Sequence, residues 1–303
     1  MFFDISNIPF DHLECSLFSE KKVSVTVLRL DKIHPVVSGN KLFKLHYFLE
    51  EALASRHQTI LSFGGAYSNH LVATAFACRS FNLKSIGIVR GEKTRLPAST
   101  LDQCLGYGME LKFVTRPEYA KKEELSFIDS LQKEYGECMV IPEGAYHPKG
   151  AKGAALIMDL IGSREFTHIC TAIGTATTIA GLMMAEKKDQ TIVGIPVLKG
   201  LRDIHERIHL LSGNNLKTEN LTILSNYHFG GYAKKNDTLI DFMNHCSREF
   251  DLSLDFVYTA KMFFGVMDSI EHDFFPSGSK ILCLHTGGLQ GNNSLAGSSS
   301  LFP

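Results

Sequence analysis

The sequence predicts an α/β protein built as two three-layer lobes around mostly parallel sheets. Short apolar, β-branched runs alternate with longer segments of helical period, and that alternation implies parallel strands joined by right-handed crossovers. It pauses at PEGAYHPKGAKG, residues 142–153, and then restarts, which divides the chain into two units. The 303 residues, 44% of them hydrophobic, suffice for one large domain or two of moderate size.

Taken in order, VSVTV after Lys22 alternates apolar and polar residues with period two and reads as a half-buried strand. HPVVSGN is a turn, and Asn40 is placed to cap a helix whose Leu42, Leu45, Leu49 and Leu53 share a face. TILSF, SIGIV, LKFV and CMVI then read as strands, separated by helices at 68–80, near 99–107 and at 117–135. After the pause come a helix at 151–161, a strand at HICTAI, a Gly/Thr turn, a helix at 180–187 and a strand at TIVGIPV. The expected lobes are a small one over 45–142 and a large one of 1–44 plus 143–303. The GSSSLFP tail reads as a frayed terminus.

Charge and cysteine usage narrow the function. With 31 Lys+Arg against 32 Asp+Glu the net charge is −1, which argues against nucleic acid as partner. The longest uncharged stretch, 169–185, is rich in Thr and Gly and too polar for lipid, so no membrane span is expected. The first fifteen residues lack the basic and apolar regions of an export signal. Seven dispersed cysteines without a CxxC read as reduced, mostly buried thiols, and together these features imply a cytoplasmic protein.

Several segments carry chemistry. SGNK, Ser38–Lys41, places the Lys41 amine beside a helix N-terminus, whose partial positive charge disfavours the ammonium and favours a nucleophilic neutral amine. Lys44, one turn on, reads as a surface charge. In SFGGAYSNH, Ser62–His70, a strand ends in two glycines and Ser68 caps the following helix, so that the free N–H groups suit a carboxylate, with Ser68 and Asn69 facing it. AIGTATTIAGL, Ala172–Leu182, is a strand, a Gly/Thr loop and a helix start that present several donors to one phosphate. It matches neither GxxxxGK[ST] nor GxGxxG, because Ala176 stands at the second glycine, so a phosphate smaller than a dinucleotide fits better.

SGNK, GGxxSNH, GTATTIAG, VYT at 257–259 and HTGG at 285–288 together resemble the 1-aminocyclopropane-1-carboxylate deaminase/D-cysteine desulfhydrase family of pyridoxal-phosphate enzymes, in order and spacing along nearly the whole chain. The resemblance implies the tryptophan-synthase-β-like fold, fold type II, with pyridoxal 5'-phosphate between the lobes, a small amino acid as substrate and a homodimer. It makes Lys41 the Schiff-base lysine, Asn69 the partner of the cofactor's phenolic oxygen, and Ser68 the residue beside the substrate carboxylate, with Asn69 and His70 also toward substrate. Gly174, Thr175, Ala176, Thr177 and Thr178 become the phosphate loop. Tyr258 corresponds to the active-site tyrosine, and Tyr232 in HFGGYAK to a second one, although the family's preceding proline is missing there.

Thr259 and Thr286 stand where the deaminases carry Glu and Leu, which favours D-cysteine desulfhydrase over 1-aminocyclopropane-1-carboxylate deaminase, either threonine being placed to meet the pyridine nitrogen. Non-catalytic binding of the cofactor or of an amino acid is the remote alternative. HERIH, 205–209, fits the zinc-helix pattern HExxH but lacks a third ligand, so no metal is expected; Leu201, Ile204, Ile208 and Leu211 make it a packed helix. His147 reads as a hinge residue, KKEELS from Lys121 as a solvated helix face, and Leu182, Met183 and Met184 as core.

Overall fold

A computed structural model describes residues 5, 7–55, 57–92, 100–187, 189–213 and 216–295. The expected frayed tail at 297–303 lies outside the described residues. The chain opens with β1 (Phe10–Leu13), α1 (Ser16–Lys21), β2 (Ser24–Leu28) and α2 (Asn40–Ala54). There follow β3 (Thr59–Gly64), α3 (Asn69–Ser80), β4 (Lys84–Arg90), α4 (Thr100–Gly106), β5 (Glu110–Val114), α5 (Arg116–Ala120), α6 (Leu125–Tyr135) and β6 (Met139–Ile141). The remainder comprises α7 (Pro148–Ala155), α8 (Ile157–Ile161), β7 (His168–Ile173), α9 (Thr177–Met184), β8 (Thr191–Pro196), α10 (Ile204–Ser212), β9 (Leu221–Ile223), α11 (Asp237–Phe250), α12 (Thr259–Glu271) and β10 (Lys280–Leu284).

The strands form two sheets, a four-stranded one in the order β5-β4-β3-β6 and a six-stranded one in the order β1-β2-β10-β7-β8-β9. Among the described residues every pairing is parallel except β1 with β2. Ile60, Leu61, Ser62 and Phe63 of β3 are all buried, as expected of a parallel strand covered on both faces. β10, from the end of the chain, lies between β2 and β7, with Cys283 opposite both Val27 and Cys170.

Several boundaries differ from expectation. The helix expected over 117–135 is two: the hydroxyl of Thr115 caps α5 in a capping box with Glu118, and the chain turns before α6. KKEELS therefore begins in that turn rather than on a helix face. The helix expected at 151–161 starts earlier, at Pro148, capped by His147, and is interrupted after Ala155. α9 starts at Thr177, three residues before the expected Ala180, which shortens the Gly/Thr loop. On α2, Leu42, Leu45 and Leu49 are buried while Leu53 is exposed, and Gly39 rather than Asn40 precedes the first turn. Leu182 and Met183 are core, whereas Met184 is exposed.

α2, α7 and α9 pack closely through glycines. A Cβ on Gly153 would lie 2.1 Å from the carbonyl oxygen of Phe43, and one on Gly181 2.4 Å from that of Ala151. The HERIH helix is α10, whose Ile204, Ile208 and Leu211 are buried; Leu201 precedes it. Among the described residues no group of His, Cys, Asp or Glu is arranged to hold a metal ion, and no helix is long and apolar enough to cross a membrane. All seven cysteines are free, six of them buried.

Candidate active site

A cavity of about 760 Å³ opens at the carboxyl ends of the strands, where loops from both sheets meet, as in other open parallel sheets. Its wall includes Lys41 and Lys44 of α2, Ser68, Asn69 and His70 at the start of α3, Gly174–Thr178, Tyr232, Tyr258 and Thr286. Thus six sequence segments far apart in the chain converge on one volume.

The approach of these loops requires glycine. Gly39 has φ +70, and a Cβ there would fall 2.0 Å from the carbonyl oxygen of Thr286, so the turn entering α2 lies directly against the HTGG segment. A Cβ on Gly174 would come within 3.1 Å of the Tyr258 ring.

Lys41 is in the first turn of α2, its ammonium 5.7 Å from the Tyr258 ring centre. Burial brings its pKa down to about 8, opposed by the negative charge of Asp255. The direction agrees with the sequence argument, but the cause is desolvation. Lys44 corrects the expectation of a surface charge. It is 7% exposed, donates to the carbonyl oxygen of Gly144 at 3.3 Å, and has its pKa lowered to about 7 by burial and by Lys41. Its residue type and spacing resemble a solvated helix position; only the packing of α2 under the Glu143–Ala145 turn turns it inward.

At the start of α3, Ser68 caps the helix through Leu71 N–H at 3.2 Å. Asn69 donates to the carbonyl oxygen of Gly288 at 3.2 Å, and its buried Oδ1 has no partner among the described residues. His70 is buried, its Nε2 3.0 Å from the Ser62 hydroxyl, and burial together with Lys44 and Lys41 holds its pKa down to about 3. It is therefore a neutral wall of the cavity.

In the loop, Ala176 adopts φ +67 immediately before α9, the Thr175 and Thr177 hydroxyls lie 2.8 Å apart, and Asn40 donates to the Thr178 hydroxyl at 2.8 Å. The free N–H groups of α9, three hydroxyls and the Lys44 amine make a donor set suited to a phosphate dianion. With the unpartnered Asn69 Oδ1 and the Lys41 amine in the same cavity, the residues present fit a phosphate-bearing aldehyde.

Tyr258 and Tyr232 meet edge to face, ring centres 6.0 Å apart. Burial and its neighbours, Tyr232 first among them, push the Tyr258 hydroxyl well above its usual range, so it keeps its proton at neutral pH. Tyr232 is half-exposed at the mouth. Thr286 lines the cavity, but Thr259 does not: its hydroxyl is bonded to Asp255 Oδ2 at 2.7 Å and its N–H to the same oxygen at 3.0 Å.

Sequence reasoning missed Asp255. It is fully buried, and its other oxygen accepts from the N–H groups of Val257 and Tyr258 at 3.0 and 2.8 Å. An Asp two residues before VYT, close to a helix start, was the available signal. Lys261 of α12 was missed too: fully buried, it donates to the carbonyl oxygens of His228 and Gly231 at 2.9 and 2.7 Å and so fixes the loop that carries Tyr232.

The fold and the cavity together define an enzyme class. Residues 6–287 match the family described as pyridoxal-phosphate dependent enzyme, and the chain belongs to that family. Its architecture is the tryptophan-synthase-β-like fold type II, and it is a pyridoxal-phosphate-dependent enzyme of the lyase and deaminase kind. A Thermotoga maritima protein provisionally named 1-aminocyclopropane-1-carboxylate deaminase is 32% identical over 285 residues, covering 88% of this chain and 89% of that one. The bifunctional D-cysteine desulfhydrase/1-aminocyclopropane-1-carboxylate deaminase of Arabidopsis thaliana is 28% identical over 282 residues, covering 84% and 70%. A crystal structure described as an ACC deaminase homologue superposes with a TM-score of 0.79 at 26% identity, covering 94% of this chain and 90% of the other.

Proposed function

We propose that the protein is a pyridoxal-phosphate-dependent lyase of small amino acids, acting as a D-cysteine desulfhydrase that yields pyruvate, ammonia and hydrogen sulfide. The observation that carries this reading is the meeting, in one cavity, of a Lys41 amine lowered to about 8 and a Tyr258 phenol that keeps its proton. Lys41 would hold the cofactor's aldehyde carbon. Asn69 would face its phenolic oxygen, and Gly174, Thr175, Ala176, Thr177 and Thr178, joined by Lys44, would hold its phosphate. Of the two threonines considered for the ring nitrogen, Thr286 is favoured, since it lines the cavity and the Thr259 hydroxyl is engaged by Asp255. When bound, the cofactor supplies an electron-withdrawing ring that acidifies the substrate's α-carbon.

The chain's own groups divide the remaining work. The Ser68 helix start and Asn69 bind the substrate carboxylate, with His70 as a neutral, non-titrating wall. Lys41, with its pKa near the working pH, takes the α-proton at Nζ. Tyr258, held protonated, gives a proton at its hydroxyl to the departing β-sulfur, and Tyr232 covers that hydroxyl from the mouth. The deaminase reading draws support from the relatives' names, but in it Tyr258 or Ser68 must attack the ring carbon, and the raised pKa of Tyr258 makes it a poor nucleophile. The lobe division at 45–142, the homodimer and a cytoplasmic setting belong to the same proposal.

An absorption spectrum with borohydride trapping tests cofactor attachment. The expected result is a yellow protein whose colour and trapping are lost in Lys41→Ala. Hydrogen sulfide from D-cysteine supports the desulfhydrase, 2-oxobutanoate from aminocyclopropane carboxylate replaces it by the deaminase, and neither product from any small amino acid leaves a binding protein.

A further inference from the structure

At the outer end of the cavity lies a cationic group that the proposed reaction does not use. Arg90 ends β4, beside the glycine loop that leads to Ser68: a Cβ on Gly65 would sit 3.5 Å from its Nη2. Its guanidinium lies over the Tyr119 ring at 5.7 Å, and its charge reaches the Tyr232 hydroxyl, as does the larger opposing charge of Glu143; Tyr232 adjoins Tyr258, whose ring in turn lies near Lys41. The wall therefore runs from the reactive amine through two tyrosines to an arginine.

The mouth around it is positively charged. Arg90, Arg116 and Lys234 line the cavity, and among the described residues none of them has a carboxylate within ion-pair distance. The two acids of the wall, Glu123 and Glu143, lie 3.5 and 3.8 Å from Lys122, which offsets half of their charge, so that the cations of the wall remain in excess. Arg207 is paired with Asp203 at 2.8 Å. A volume of about 760 Å³ leaves room beyond a cofactor for a substrate longer than cysteine.

We propose that Arg90 extends the site beyond D-cysteine to three-carbon α-amino acids whose β-substituent carries a negative charge, and favours them over neutral isosteres of the same length. The inference rests on reading the cavity as an amino-acid lyase site and names the substrate class of that site. In the reaction the α-proton goes to Lys41, and the bond from the β-carbon to its sulfur or oxygen breaks with the electron pair leaving on that atom. Water then displaces ammonia from the unsaturated acid, so that pyruvate, ammonium and the anionic leaving group are the products, with no net oxidation. Arg90 is exposed at the end of β4, and a guanidinium there can hold a carboxylate or phosphate through two parallel N–H donors.

S-carboxymethylcysteine and S-carbamoylmethylcysteine share size and leaving atom and differ in charge, so both enantiomers of each are assayed with the cofactor-loaded enzyme for pyruvate release. The expected result is a kcat/KM at least about tenfold higher for the acid, reduced to near parity in Arg90→Gln and retained in Arg90→Lys. An amide turned over as well as the acid, or a ratio unmoved in Arg90→Gln, overturns the inference. Calorimetry with glutamate and glutamine, which match in shape and have no good leaving group, reads charge recognition without turnover. If neither cysteine derivative yields pyruvate yet glutamate binds about tenfold tighter through Arg90, the lyase reading fails and the anion site stands; equal binding of the two overturns the anion site itself.

Discussion

Two lysines one helical turn apart carry opposite fates in the sequence and the same fate in the fold. Lys41 and Lys44 both face the cavity, and burial lowers the pKa of each, with the charge of Lys41 lowering that of Lys44 further. Their folded-state pKa values, about 8 and about 7, lie below the usual 10.5, so the unfolded chain binds the extra protons above pH 7. The stability of the cofactor-free protein should accordingly rise as pH climbs from 7 to 9, and Lys44→Met should flatten that rise, measured as Tm against pH. His70 has the converse window: its pKa near 3 against the usual 6.5 means stability falls as pH drops from 6.5 toward 3. Asp255 is the strongest test of a residue not picked out in the sequence. Its charge raises the Lys41 pKa, so Asp255→Asn should move the lower inflection of the pH–rate profile below that of the native enzyme. Lys41, Ser68, Asn69, the 174–178 loop and Tyr258 were legible because each sits in a contiguous motif. Lys44, Asp255 and Lys261 were not, because a lysine or aspartate at a helix start carries no local mark of burial.

At the scale of elements, periodicity located strands better than helix ends. TILSF and SIGIV became β3 and β4 because parallel strands buried on both faces leave a continuous apolar run. β1, with Asp11 and His12 in four residues, has no such run and exists because β2 offers it an edge. The long helix expected at 117–135 failed because a capping box at Thr115 ends one short helix and a turn starts the next, a competition that period alone does not report. The tight α2–α7–α9 packing yields a direct prediction. Gly181→Ala forces a Cβ to within 2.4 Å of a backbone oxygen, which the helix cannot yield without shifting. It should cost about 1–3 kcal/mol of stability in urea unfolding, and it should weaken cofactor retention because α9 carries the phosphate loop.

For the molecule as a whole, the cavity joins loops of both sheets, so a ligand that bridges them stabilises the entire structure by mass action. Pyridoxal phosphate at about a hundred times its dissociation constant should add about 2.7 kcal/mol to folding, read as a raised Tm. Lys44→Met should reduce that gain, since a charge-assisted bond to phosphate contributes about 1.5–3 kcal/mol. The same calorimetric scan separates holding the phosphate from turning over substrate, because no reaction is needed.

The sequence by itself determined the alternation of strand and helix, the order of five motifs, and hence the enzyme family and its cofactor, because each of these is written in residues adjacent along the chain. Only the tertiary structure decided that β10 slots between β2 and β7, that Lys44 faces inward, that Thr286 rather than Thr259 lines the cavity, and that Asp255 lies beneath both Tyr258 and Lys41. The reason is physical: burial and charge proximity depend on which distant segments share a volume, and the desolvation that tunes these groups exists only once the two sheets have closed around them.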